Sequence, residues 1–232
     1  MFKISEISKK YFRSIALNKV SFEVQKGGIT GIIGPNGAGK STLLDIITGF
    51  QQADSGKISY NGKELKSFNE KKKVFSYMPE NMQIYPDIYT GEFLTFIQKA
   101  TNCFRNDLIE ILGLNKVLNK RIKFLSKGYH QRLKIFSALA NNKKIVILDE
   151  PFDGFDPIQL IEILNLIKTE NSKAGRTFIL SIHQLFDAEK ICSQYILLDE
   201  GRLVASGTLA ELRKSFKIEN ASLEEIFIKA LV

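Results

Sequence analysis

The chain has 232 residues, of which 44% are hydrophobic and 25% charged, the balance of an ordinary globular protein with room for one well-packed core. No apolar run approaches the roughly 20 residues that a membrane-spanning helix needs, and the opening Met1–Phe12 stretch lacks the apolar region of a secretory signal, so a cytoplasmic protein is expected. A net charge of +8 admits nucleic acid, an anionic membrane surface or small anions as partners, but the lysines are scattered apart from one short run, Lys71–Lys73, and read as solvated surface, with no nucleic acid expected.

In chain order, Phe2–Ile7 alternates loosely and Val20, Phe22 and Val24 alternate cleanly with polar residues, which predicts strands. Ile29–Ile33 is a candidate buried strand ending in a glycine-rich turn at Gly34. Lys57–Tyr60 and Lys63–Leu65 flank Asn61-Gly62, a pair that supplies the positive φ angles of a tight hairpin. From Gly91 to about Asn141 the period becomes helical, with Phe93, Leu94 and Ile97, then Leu108, Ile111 and Leu112. Tyr129, Leu133, Phe136 and Ala140 share a face of a helix that starts at Ser126, with His130 expected on its exposed side. Strands at Ile145–Leu148, Thr177–Ser181 and Tyr195–Leu198 then alternate with helices around Leu160–Ile167 and Leu185–Ile191, the pattern of a parallel sheet covered by helices. Ser222 and Glu225 have the spacing of a capping box that opens a last short helix. Cys103 and Cys192 have no metal-ligand or redox spacing and are expected to be buried free thiols.

Gly34-Pro35-Asn36-Gly37-Ala38-Gly39-Lys40-Ser41 fits G-x-x-x-x-G-K-[ST] in full, between an apolar strand and the helical segment Thr42–Thr48. Glycines let backbone N–H groups turn toward phosphates, and the following helix aims its positive end at the same anion. In that chemistry Lys40 reaches the β- and γ-phosphates and the Ser41 hydroxyl ligates Mg²⁺. Such a loop needs carboxylates at the end of a neighbouring buried strand. Ile145–Leu148 followed by Asp149 and Glu150 supplies them, Asp149 to hold Mg²⁺ through water and Glu150 to polarise an attacking water.

Leu125-Ser126-Lys127-Gly128-Tyr129, just upstream of the Asp149-Glu150 strand, resembles the LSGGQ signature of ABC nucleotide-binding domains. With the phosphate loop and the acidic pair, the resemblance covers essentially the whole chain. It implies an α/β P-loop NTPase of the ABC type: a mixed sheet core, an amino-terminal antiparallel β part and an inserted α-helical subdomain. A single domain, 1–232, would then consist of a catalytic core at 1–80 and 142–232 with the helical insertion at 81–141. By the same resemblance Tyr11 stacks on adenine, Thr42 joins the nucleotide contacts, Glu80 stands at the metal-contacting position where the family usually has Gln, Asp156 is the D-loop aspartate and His183 is the switch histidine. Ser126 would cap a helix whose first turn faces the γ-phosphate of a second subunit, homologous or identical, so that two chains sandwich two ATP molecules. Lys127 and Tyr129 depart from the usual Gly and Gln of the signature.

The resemblance implies the ATPase subunit of a membrane transporter, of exporter type, working with a separate transmembrane permease at the inner face of the cell membrane. The alternative is a soluble ABC-type ATPase in regulation or nucleic-acid metabolism; translation factors usually carry two such domains and chromosome ATPases a long coiled coil, and neither pattern is present. Tyr85 and Ile88 are expected to form the surface that receives the permease, and Phe93 and Leu94 to pack a helical core.

Overall fold

The computed structural model describes residues 1–231. Side chains that alternate every second residue make a strand two-sided, and the first strands follow that rule. In β1 (Phe2–Tyr11) and β2 (Ser14–Val24), paired antiparallel, Phe2, Ile4 and Ile7 and Val20, Phe22 and Val24 are buried. β4 (Ser55–Tyr60) and β5 (Lys63–Glu64) complete an antiparallel sheet of order β2-β1-β4-β5. Asn61 (φ 49°) and Gly62 (φ 80°) make the hairpin turn, both left-handed as that turn demands.

The second sheet joins β3 (Ile29–Ile33), β6 (Phe75–Met78), β7 (Ile145–Asp149), β8 (Thr177–Ser181), β9 (Gln194–Asp199) and β10 (Arg202–Gly207) in the order β10-β9-β3-β8-β7-β6. All neighbours run parallel except β10, which returns antiparallel along β9. β3, β7 and β8 are buried throughout, which is why they read as apolar runs rather than alternations. Their alternate side chains feed two cores. Ile32, Ile145, Ile147, Ile179 and Ile196 meet the antiparallel sheet and α1 (Lys40–Thr48). Val146, Leu148, Phe178, Leu180 and Leu197 meet the helices of the other face.

On that second face lie α3 (Thr90–Thr101), α4 (Asn106–Ile111), α5 (Lys127–Leu139), α6 (Pro157–Ala174), α7 (Leu185–Ile191), α8 (Leu209–Phe216) and α9 (Leu223–Leu231), all contributing to one apolar cluster. Phe93 and Leu94 are in it, as expected of core residues. Ser222 and Glu225 form the reciprocal hydrogen bonds of the capping box at the start of α9. Among the described residues no helix is long and apolar enough to cross a membrane.

Several expectations are corrected. β8 stands between β3 and β7, so the strand ending in Asp149 is not the neighbour of the loop strand. Ile111 is 51% exposed because α4 ends there and the chain turns before the helical face is completed. His130 is half-buried, and of the two free cysteines only Cys103 is buried, Cys192 being intermediate. The strand β6, the hairpin return β10 and the helices α8 and α2 (Phe68–Val74) are not anticipated by periodicity. Their signals are local instead: Ser67 with Glu70 and Thr208 with Glu211 form capping boxes, and Glu200-Gly201 turns with both residues at positive φ.

Candidate functional site

Glycine is required where the chain passes between β3 and α1. A Cβ at Gly34 would stand 2.3 Å from the Leu198 carbonyl oxygen, and one at Gly39 (φ 98°) 2.5 Å from that of Ala16. Gly39 occupies the N-cap of α1 and offers no side chain to it, so the first N–H groups of the helix keep no internal partner. Pro35 and Asn36 are exposed on the loop and Ala38 is buried beneath it. Lys40 is buried, its Nζ donating to the Gly34 and Pro35 carbonyls at 2.8 and 3.2 Å, so the ammonium lies folded within the loop it serves. Burial lowers its proton affinity, while Glu150, Asp149 and Glu80 pull the other way. Four charged groups thus converge on one spot.

The acidic side of the site is set by the parallel register of β7 and β8, which pairs Asp149 with Ser181. The Ser181 hydroxyl donates to the buried Asp149 carboxylate and accepts the Glu150 N–H at 2.8 Å. Gln131 Nε2 donates to the Glu150 carbonyl at 2.9 Å. These contacts hold Glu150 at φ 50°, a left-handed conformation that only a well-tied residue of this kind keeps. Its side chain then reaches His183, with Oε1 to Nε2 at 2.8 Å. Burial, opposed by Lys40 and reinforced by Asp149 and Glu80, pushes the Glu150 carboxyl up to about 7. Burial, aided by Lys40, lowers the His183 imidazole below its ordinary value. Both shifts favour an uncharged imidazole facing a carboxyl poised between its two forms.

These residues surround one cleft of about 450 Å³ lined by Tyr11, Asn36, Gly37, Gly39, Lys40, Ser41, Thr42, Glu80, Glu150 and His183. Asp149 lies beneath it, buried. Tyr11 is 42% exposed at the end of β1, with the Lys9 ammonium 5.5 Å from its ring. Glu80 is exposed, and its carbonyl accepts from Lys134 Nζ at 2.7 Å.

The signature residues are not brought into this cleft. Ser126 caps α5, its hydroxyl accepting from the Tyr129 N–H at 3.5 Å, and Asp156 caps α6 through the Ile158 and Gln159 N–H groups. Ser126, Gly128, Tyr129 and Asp156 line a separate groove of about 480 Å³ with Arg132 and Glu162. Leu125 is half-buried against the helical core, and Lys127 pairs with Asp153 at 2.9 Å. Ser181 and Gln131 are functional neighbours that sequence reading misses. Ser181 leaves one signal, a hydroxyl that follows the apolar run Phe178–Leu180; Gln131 leaves none.

The residues present suit Mg²⁺ with a triphosphate. Among the described residues no group of three or more His, Cys, Asp or Glu could cage an ion. Ser41, Asp149 and Glu80 offer scattered oxygens around the loop, the partial set that Mg²⁺ completes with phosphate oxygens and water.

Comparison with known proteins identifies the family of the chain. The family model described as ABC transporter matches residues 17–153. The ABC-type transporter ATP-binding protein EcsA of Bacillus subtilis (strain 168) is 32% identical over 237 residues, 99% of this chain and 96% of that protein. The linearmycin resistance ATP-binding protein LnrL of the same organism is 30% identical, over 91% of this chain and 70% of its own length. Among solved structures, an ATP-binding subunit of an ABC transporter superposes with a TM-score of 0.91 at 30% identity, covering 100% of both chains.

Proposed function

Given that the chain belongs to the family of ABC transporter ATP-binding proteins, and is an ATPase of that kind, we propose that the cleft around Lys40 binds and hydrolyses MgATP to drive a transporter whose membrane-spanning part is a separate permease. The observation that carries the site assignment is the convergence of Lys40, Glu150 and His183 on one cleft of about 450 Å³, with Glu150 Oε1 2.8 Å from His183 Nε2.

Tyr11 stacks on adenine at the cleft edge. The loop from Gly34 to Gly39 and the first turn of α1 cradle the phosphates, with Ser41 and Thr42 beside them, and Lys40 turns its ammonium from the Gly34 and Pro35 carbonyls to the β- and γ-phosphate oxygens. Ser41, Asp149 and Glu80 are the residues that would hold Mg²⁺, which when bound neutralises phosphate charge. Glu150 orients a water and takes its proton as the water oxygen bonds to the γ-phosphorus and the bond to ADP breaks. A carboxyl held near 7 is matched to that task at neutral pH. His183, uncharged, fixes the Glu150 carboxyl and meets the γ-phosphate.

The separation of the signature groove from the cleft supports a reading in which Leu125–Tyr129 and Asp156 serve ATP held by a second subunit, in a homodimer or heterodimer. Residues 81–141 are then the inserted subdomain, and 1–80 with 142–232 the core. Tyr85, 68% exposed, is the anchor for the permease, whereas Ile88 is half-buried against the helical core and serves packing first. We read transport as running in the export direction, a reading in keeping with a relative named for linearmycin resistance, and place the subunit on the inner membrane face through its permease. Calorimetry on Lys40→Ala tests the site: MgATP affinity should fall at least tenfold to a hundredfold, the worth of a charge-assisted contact. Near-native affinity would remove Lys40 from the phosphate site.

A further inference from the structure

Glu80 and Glu150 enter the cleft from the ends of two neighbouring strands. β6 and β7 run parallel with Met78 paired to Leu148, so each acid stands two residues beyond the same rung. Past the strand ends the ladder no longer fixes the peptide planes, and the plane decides the direction in which a side chain leaves the backbone. At Glu150, held at φ 50°, Ser181 takes the N–H, which leaves the carbonyl side to be set. The Asp153 N–H reaches that carbonyl only at 3.5 Å.

One helix supplies the missing support on both sides. From α5, Gln131 Nε2 donates to the Glu150 carbonyl at 2.9 Å and Lys134 Nζ to the Glu80 carbonyl at 2.7 Å. Three residues apart, the two side chains share a face of the helix. Gln131 is 7% exposed, and a buried amide donor holds its partner firmly because leaving it unmet costs more than the bond itself contributes. One turn earlier on the same stripe, Lys127 pairs with Asp153 at 2.9 Å. Its stem lies against Gly154, where a Cβ would stand 2.8 Å from Lys127 Cγ. Beneath the stripe Leu133 and Phe136 pack in the cluster that holds Met78 and Leu148, so α5 and both strand ends share one layer.

On the reading that the cleft hydrolyses MgATP, we propose that Gln131 and Lys134 are positioning residues of the reaction: by gripping two backbone carbonyls, α5 aims the Glu150 and Glu80 carboxylates into the cleft. Neither residue lines the cleft itself, so each acts through the acid whose backbone it holds. The same helix is capped by Ser126. A shift of its signature end is therefore passed along one rigid element to both acids.

Single-turnover hydrolysis and calorimetric MgATP binding test this on Gln131→Met, Lys134→Met and Lys134→Arg, with Gln131→Met repeated in a Glu150→Gln background. Gln131→Met keeps the volume without the donor. It should slow hydrolysis about tenfold to a hundredfold, the cost of misplacing a reacting group by up to about 1 Å, with affinity within a few-fold of native. Lys134→Met should lose several-fold in rate, and Lys134→Arg, which retains a donor, should recover most of that loss. In the Glu150→Gln background Gln131→Met should cost about twofold at most, because a residue that acts through Glu150 then has no base left to aim. Should Gln131→Met fail to fold, the two variants of the half-buried Lys134 decide. Undiminished rates in the folded Met variants, an affinity loss equal to the rate loss, or the same fold-loss without the Glu150 carboxylate would overturn the proposal. A wild-type chain that does not bind MgATP would instead overturn the reading of the site, and this proposal with it.

Discussion

Replacing Glu150 by Gln should stabilise the nucleotide-free protein as well as disable it, and the stabilisation should depend on pH in a defined direction. The Glu150 side chain is only 11% exposed, and burial raises its carboxyl from an ordinary 4.5 to about 7. An acid that is harder to ionise in the folded state than in the unfolded one takes stability away as the pH rises. The loss begins near 4.5, where the unfolded chain starts to release the proton, and is complete above about 7, where both states are ionised. At about 1.4 kcal/mol per decade of proton affinity, the full loss is roughly 3 kcal/mol. Gln keeps the shape and the contact with His183 without the charge, so the variant escapes this loss. Thermal unfolding in EDTA, followed from pH 4 to pH 8, should give nearly coincident midpoints at the acid end. At pH 8 the variant should lie higher by roughly 6–12 °C, taking 2–4 °C per kcal/mol for a chain of this size. Parallel curves with a constant offset, or a variant less stable at pH 8, would refute the desolvated-carboxyl argument.

Two further outcomes are expected. His183→Ala should slow ATP hydrolysis at least tenfold while MgATP affinity stays within a few-fold of native, because the proposed role of His183 is toward Glu150 and the γ-phosphate rather than the nucleotide as a whole; initial-rate kinetics beside calorimetry separate the two, and an affinity loss as large as the rate loss would contradict it. Tyr85→Ser should leave ATP binding intact and weaken co-purification with the permease at least tenfold, as truncating an exposed aromatic anchor does, and undiminished co-purification would move the docking surface elsewhere.

What the sequence revealed, and what it hid, divides along the range of the interactions. The loop Gly34–Ser41 is legible because its residues are contiguous: Gly37 and Gly39 hold positive φ, and Gly34 and Gly39 leave room for backbones that pass close by. Asn61-Gly62 and the capping boxes are local in the same way. The strand order is not local. That β8 separates β3 from β7 follows from packing across the whole sheet, and it is what brings Ser181 onto Asp149 and His183 onto Glu150. Gln131 reaches the Glu150 carbonyl only because α5 packs beneath the strand end, and no spacing in the chain announces that. The run Lys71–Lys73 read as uniformly solvated, yet Lys71 is buried, because a long aliphatic stem can lie in an apolar layer when its ammonium finds a helix-end carbonyl. Tyr85 and Ile88 looked alike in sequence; three residues of irregular chain put one outside and the other against the core.

Hydrolysis by Glu150→Gln under single-turnover conditions tests the central claim most directly, that Glu150 is the base of an ATPase built around Lys40. With enzyme in excess over radiolabelled MgATP, the wild-type chain should release phosphate. The variant should bind the same nucleotide with affinity within a few-fold of native and release phosphate about a hundredfold to ten-thousandfold more slowly, the range that loss of a general base produces. Phosphate release by the variant at the wild-type rate, with binding intact, would take Glu150 out of the mechanism.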